Sequence, residues 1–129
     1  MSRSTAPSER EITRAVVQHW RSLAIPGTLV ASIPNAGAMG QYGFTKGLPD
    51  LMVIGGPVLK DRVGFIELKT ATGRLRPEQI TIGNILQHNG IPYAVTKGRD
   101  EPIRQLEAWG VVRPRASARP VLPESVEAA

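Results

Sequence analysis

The sequence contains no cysteine, which excludes a disulfide framework and any thiolate-bound metal. No apolar run approaches the length needed to cross a bilayer, and the opening residues Met1-Ser2-Arg3-Ser4-Thr5 lack the apolar stretch of a signal peptide. These absences fit a cytoplasmic protein, with a bacterial or phage-infected cell as the expected setting. Aromatic residues are scarce at 5%; the two tryptophans, Trp20 and Trp109, fall at helical core positions and read as packing. His19 and His88 are isolated and read as structural or solvent-exposed. Acidic residues are outnumbered, giving a formal charge of +5 over 129 residues, which favours a polyanionic partner. The excess is thin: residues 27 to 110 hold nine Lys/Arg against seven Asp/Glu.

What the chain does contain is a regular alternation of helical and extended patterns. Residues 8 to 24 read as a helix with Ser8 or a neighbour at its N-cap and acidic residues in the first turn. At 100° per residue, Glu9 lies within about 60° of Ile12, Val16, Trp20 and Leu23, whereas Glu11 points to the opposite side. "TLVASIP" (28–34), "LMVIGG" and "RVGFIELKT" read as strands, the last two joined by the turn "GGPVLKD". A glycine-rich loop fills 35–47. "PEQITIGNILQHNG" (77–90) starts with Pro at a first helical position and ends on an Asn-Gly cap signal. "IPYAVTKG" (91–98) is a fourth strand, and 100–110 a short helix with Asp100 as cap. The order helix, three strands, helix, strand, helix predicts an α/β sandwich around one mixed sheet, occupying residues 1–110. Residues 111–129, rich in Pro and Ala without apolar periodicity, read as a flexible tail.

Chemistry concentrates where charge interrupts the strands. Side chains alternate along a strand, so Phe65, Glu67 and Lys69 share one face and Ile66 and Leu68 the other. Asp50 opens the adjacent strand, where a hairpin brings its carboxylate towards that of Glu67. Two carboxylates held together repel unless a cation sits between them. Mg²⁺, with Mn²⁺ able to substitute, suits one or two carboxylates plus water and substrate phosphate. Lys69 would then stand beside the ion, placed to orient a water or offset charge on a phosphate. As bland alternatives, Glu67 and Lys69 read as a surface pair, Asp50 as a turn residue after Pro49, Glu9 as a helix-dipole residue and Gln79 as a first-turn polar group.

Pro49-Asp50 followed by Glu67-Leu68-Lys69 resembles the catalytic pattern of the PD-(D/E)XK nucleases. With "IPNAG", "KGLPDLMV", "GFIELKT", "GRLRPEQ" and "NGIPYAV" in order, the chain is similar to a stand-alone virus-type replication-repair nuclease (VRR-NUC) domain over residues 8 to 109. The resemblance implies a restriction-endonuclease-like αβββαβα core and a metal-dependent endonuclease that cuts branched DNA such as four-way junctions or flaps, leaving a 5′-phosphate and a 3′-hydroxyl. It implies metal ligation by Asp50, Glu67 and the Leu68 carbonyl, with Glu9 directly or through water, Lys69 as the catalytic lysine, and Gln79 reaching in from the second core helix. A homodimer is implied as well. Independently, Gln79 shares a helical face with Ile82 and Leu86, the face expected to meet the sheet. Asn35, Tyr42 and Lys46 in the glycine-rich loop, and Arg74 and Arg76 before the second core helix, are candidate DNA contacts. The rival readings are a non-catalytic DNA-structure-binding module that keeps the fold and a nuclease active only in a complex.

Overall fold

The structure, a computed structural model, describes residues 6–34 and 45–115. Helix α1 spans Glu9–Leu23 and is started by a reciprocal cap: the Ser8 Oγ accepts from the Glu11 N–H at 3.1 Å, and the Ser8 N–H donates to Glu11 Oε1 at 2.9 Å. That box satisfies two of the amides every helix start leaves open. Its inward stripe buries Ile12 and Val16, with Val17, Trp20 and Leu23 packed alongside. Strands β1 (Leu29–Ser32), β2 (Leu51–Ile54) and β3 (Val63–Lys69) follow, then α2 (Pro77–His88), β4 (Tyr93–Lys97) and α3 (Asp100–Trp109). Among the described residues no helix is long and apolar enough to cross a membrane.

The sheet runs β1-β2-β3-β4 in space as in sequence, antiparallel at the first two contacts and parallel between β3 and β4. A parallel neighbour needs a crossover, which α2 supplies. Helices α1 and α3 pack on one face, α3 through Ile103 and Leu106, over Val30, Leu51, Val53, Ile66 and Leu68. Helix α2 lies on the other, its Gly83 so close to Tyr93 that an added Cβ would fall 2.9 Å from the ring. The mixed α/β sandwich expected from the sequence is the fold found.

Two local expectations change. Asp100 is the first residue inside α3, with Arg99 at the N-cap; its carboxylate binds Arg104 at 2.8 Å and Arg115 at 2.7 Å instead of capping the helix. The chain also does not leave the fold at Gly110: residues 111–115, where the sequence reading began a flexible tail, pack back onto it. Gly110, at φ 75°, turns the backbone in a left-handed conformation, and Val111 and Val112 are buried behind it. Val112 bridges Ala24, the Ile25 N–H donates to the Val111 carbonyl, and the Arg113 N–H to the Leu23 carbonyl. Arg115 grips Glu107 at 2.9 Å. Residues 116–129 lie outside the described part.

Candidate active site

The site forms because β3 outruns its neighbour. The β2–β3 register ends at Leu51↔Ile66, so Glu67, Leu68 and Lys69 continue past the last paired residue of β2. The final ladder bond runs from the Asp50 N–H to the Ile66 carbonyl at 3.1 Å. The next amide on that side, Leu68 N–H, donates to Asp50 Oδ2 at 2.7 Å. A carboxylate thus replaces a missing strand carbonyl, which holds the Asp50 side chain against β3. Backbone groups alternate along a strand, so the Leu68 carbonyl faces the same open corner as its N–H.

Extending the register one step sets Asp50 opposite Glu67, on the face away from Leu51 and Ile66. Glu67 and Lys69 are 1% and 2% exposed, as deeply buried as the aliphatic core. Gln79, in the first turn of α2, donates through Nε2 to Glu67 Oε2 at 3.0 Å while its Oε1 accepts from the Arg76 N–H at 2.8 Å. Lys69 Nζ stands 3.5 Å from Glu9 Oε2 and 3.9 Å from Glu67 Oε2. The corner opens onto a cleft bounded by Glu9, Asp50, Gln79 and Arg76. Residues from both helical layers, from β3 and from the position just before β2 therefore meet at one end of the sheet.

The electrostatics are those of two acids sharing too little space. Burial pushes the Glu67 carboxyl up to about 8, helped by the charge of the neighbouring Asp50, against the pull of Lys69. Asp50 is raised as well, chiefly by burial, with the Leu68 amide opposing. Tyr93 is raised by burial first and then by the charges of Glu67 and Asp50. Glu67 Oε1 is a buried oxygen with no hydrogen-bond partner. Among the described residues no three acidic or histidine side chains form a metal cage; the corner supplies two carboxylates, with Glu9 turned to Lys69. An unpartnered carboxyl oxygen, which a bound cation would favour in its ionised form, beside a second carboxyl and a free main-chain carbonyl is a donor set suited to a hard cation that keeps some of its water.

Of the sequence-derived candidates, Glu9, Asp50, Glu67, Lys69 and Gln79 come together, and Leu68 joins through its backbone while its side chain packs in the opposite core. Arg76 lies on the rim, 3.3 Å from Glu78. Lys46 is exposed near Glu78, and Arg74 is exposed on the turn before α2. Asn35 and Tyr42 lie outside the described residues. Missing from the sequence reading are Arg10, Arg14 and Arg21, which line a groove that reaches Glu9 and Asp50 along the outside of α1. Their i, i+4, i+11 spacing was the available signal.

Residues 5–100 match the family model described as VRR-NUC domain. No curated relative matches the chain. A solved structure described as a VRR_NUC domain protein is 22% identical with a TM-score of 0.67, covering 81% of this chain and 89% of that one. Another, described as VRR_NUC domain, is 20% identical with a TM-score of 0.56, covering 78% and 94%. At such identities these likenesses speak for the fold alone, a mixed four-stranded sheet flanked by helices, consistent with a restriction-endonuclease-like core. The family match spans most of the sequence, and the chain belongs to the VRR-NUC domain family.

Proposed function

We propose that the protein is a metal-dependent endonuclease that hydrolyses phosphodiester bonds in branched DNA, four-way junctions or flaps. The observation that carries this reading is the unpartnered, buried Glu67 Oε1 behind Asp50, which lines the cleft, with the buried Lys69 ammonium 3.9 Å from the other Glu67 oxygen. Asp50, Glu67 and the Leu68 carbonyl would hold Mg²⁺, or Mn²⁺ in its place, with Glu9 taking part through water. Such an ion, when bound, supplies Lewis-acid polarisation of a phosphoryl oxygen and a more acidic water.

The chain's own residues do the rest. Leu68 N–H fixes one oxygen of Asp50 and Gln79 fixes one oxygen of Glu67, so each carboxylate has a single free oxygen direction and little rotational freedom to lose. Lys69, held between Glu9 and Glu67, sets a cation against the charge that builds on the phosphate during attack. Burial of the cluster removes competing water and strengthens each of these interactions. Cutting both strands of a junction calls for two such sites, hence a homodimer; light scattering that reads a monomer at micromolar concentration removes that element.

The test is incubation of the protein with labelled four-way junction, flap and linear duplex, with Mg²⁺ or with EDTA. Mg²⁺-dependent cutting of the branched substrates is expected, with 5′-phosphate ends. Asp50→Ala and Lys69→Ala should each lower the rate by roughly 10²–10³-fold or more, the scale of losing one transition-state contact. Cleavage that persists in EDTA, or survives both substitutions, refutes the reading. Binding of branched DNA with no cutting under either metal would instead identify a DNA-structure-binding module.

A further inference from the structure

The cluster accounts for one phosphate at one corner of the sheet and leaves the outer face of α1 unexplained. Arg10, Arg14 and Arg21 are all exposed on that face. At 100° per residue they lie within about 40° of one another, a straight stripe along the helix. With a rise of 1.5 Å per residue the stripe is about 16 Å long. The carboxylates of the described residues that form ion pairs do so with Lys69, Arg76, Arg104 and Arg115. None pairs with these three arginines. Together with Gln18 and Ser32 they line an open groove of about 530 Å³ that ends at Glu9 and Asp50.

Helix physics alone would not choose this pattern. Arg10 and Arg14 are a like-charged i, i+4 pair, which costs an isolated helix about 0.2–0.5 kcal/mol. Arg10 also sits in the first turn, where the helix dipole disfavours a cation; Arg21, in the last turn, is the only one the dipole favours. The groove therefore carries two signs of charge in sequence: carboxylates at the catalytic corner, then three guanidinium groups, unpaired among the described residues, leading away from it. Guanidinium forks match phosphate oxygens bidentately. Measured along the axis of a duplex arm, about 16 Å is roughly five base-pair steps at about 3.4 Å each.

We infer that the outer face of α1 is a backbone track that seats the phosphates flanking the cleavage point, along one strand of a DNA arm. The inference rests on the nuclease reading for the polymer's identity, and its test uses binding, so that the two can fail separately. Anisotropy of labelled duplex and of labelled single-stranded DNA is measured in EDTA between 50 and 200 mM salt. The proteins compared are the wild type, the triple variant Arg10→Gln/Arg14→Gln/Arg21→Gln, and Arg104→Gln, whose guanidinium is paired to Asp100 on α3.

The triple variant should lose about 2.7 from the slope of log K against log salt on duplex, or about 2 on single strands, since each neutralised phosphate contributes about 0.9 or 0.7. A loss near the three-contact value on one of the two DNAs, with little change on the other, identifies which form the track holds. Affinity at 100 mM salt should fall on the order of 10–100-fold, with the Arg104→Gln slope unchanged. A urea transition matching the wild type shows that the triple variant is folded. An unchanged slope in the folded triple variant overturns the track, as does a wild type that binds neither DNA. If the slope falls as expected in a protein that cuts nothing in Mg²⁺, the nuclease reading fails and the track stands.

Discussion

Glu67 is where function and stability pull in opposite directions. Its folded-state value of about 8 lies well above the ordinary 4.5 of a free glutamate. A carboxyl shifted upward contributes its full share of stability below the unfolded value, and that share is lost as pH rises through the folded one. In EDTA the urea midpoint should therefore fall between about pH 4.5 and pH 8, and added Mg²⁺ should restore part of the loss by offsetting the buried charge. Glu67→Gln keeps the size and the Gln79 contact while removing the ionisation. It should abolish cutting, yet raise metal-free stability at pH 9 by about 1–3 kcal/mol and flatten the pH profile. A wild-type midpoint with no slope over that range contradicts the buried-pair account. The sequence displayed this cluster plainly, because strand alternation is a local rule: two residues of separation is enough to put Glu67 and Lys69 on one face.

At the scale of elements, the site depends on how β2 is led in. Gly47 has φ 92°, and a Cβ there would lie 2.5 Å from the Glu78 carbonyl in the first turn of α2. The segment before Asp50 is thus pressed against the helix that supplies Gln79, and only glycine fits both the dihedral and the space. Gly47→Ala should cost about 2 kcal/mol or more, combining left-handed strain with the backbone clash. Cleavage should fall by more than the stability loss explains, since Asp50 and Gln79 move with the two segments. Full activity in a folded Gly47→Ala protein would show that this docking does not set the site. The existence and order of the elements were legible from periodicity and turn residues. The premature end of β2 relative to β3 was not, since nothing in "GLPDLMV" says how far its partner extends.

For the molecule as a whole, the closing segment after α3 completes the core. Val111 and Val112 are 0% and 2% exposed, and their strand-like bonds tie the end of the fold to the turn after α1. Ending the chain at Gly110 should cost roughly 3–5 kcal/mol relative to ending it at Arg115, from two buried valines and the bonds beside them. Arg115→Ala alone should cost about 1 kcal/mol, because its ion pairs are partly exposed and screened. Equal urea midpoints for the two truncations would contradict this packing. The segment escaped sequence reading for a physical reason: two apolar residues make no period, and their partners, Leu23 to Ile25, lie at the far end of the chain.

By itself, then, the sequence determined the alternation of elements, the capped first helix and the grouping of Asp50, Glu67 and Lys69, all of which follow from short-range geometry along the chain. Tertiary structure decided which exposed charges matter. Arg10, Arg14 and Arg21 look like any solvated helix face until α1 is laid across the sheet with Glu9 at the open corner. Only that placement joins a basic stripe to a pair of acids, because nearness between a helix surface and a strand end is set by packing and not by spacing in sequence.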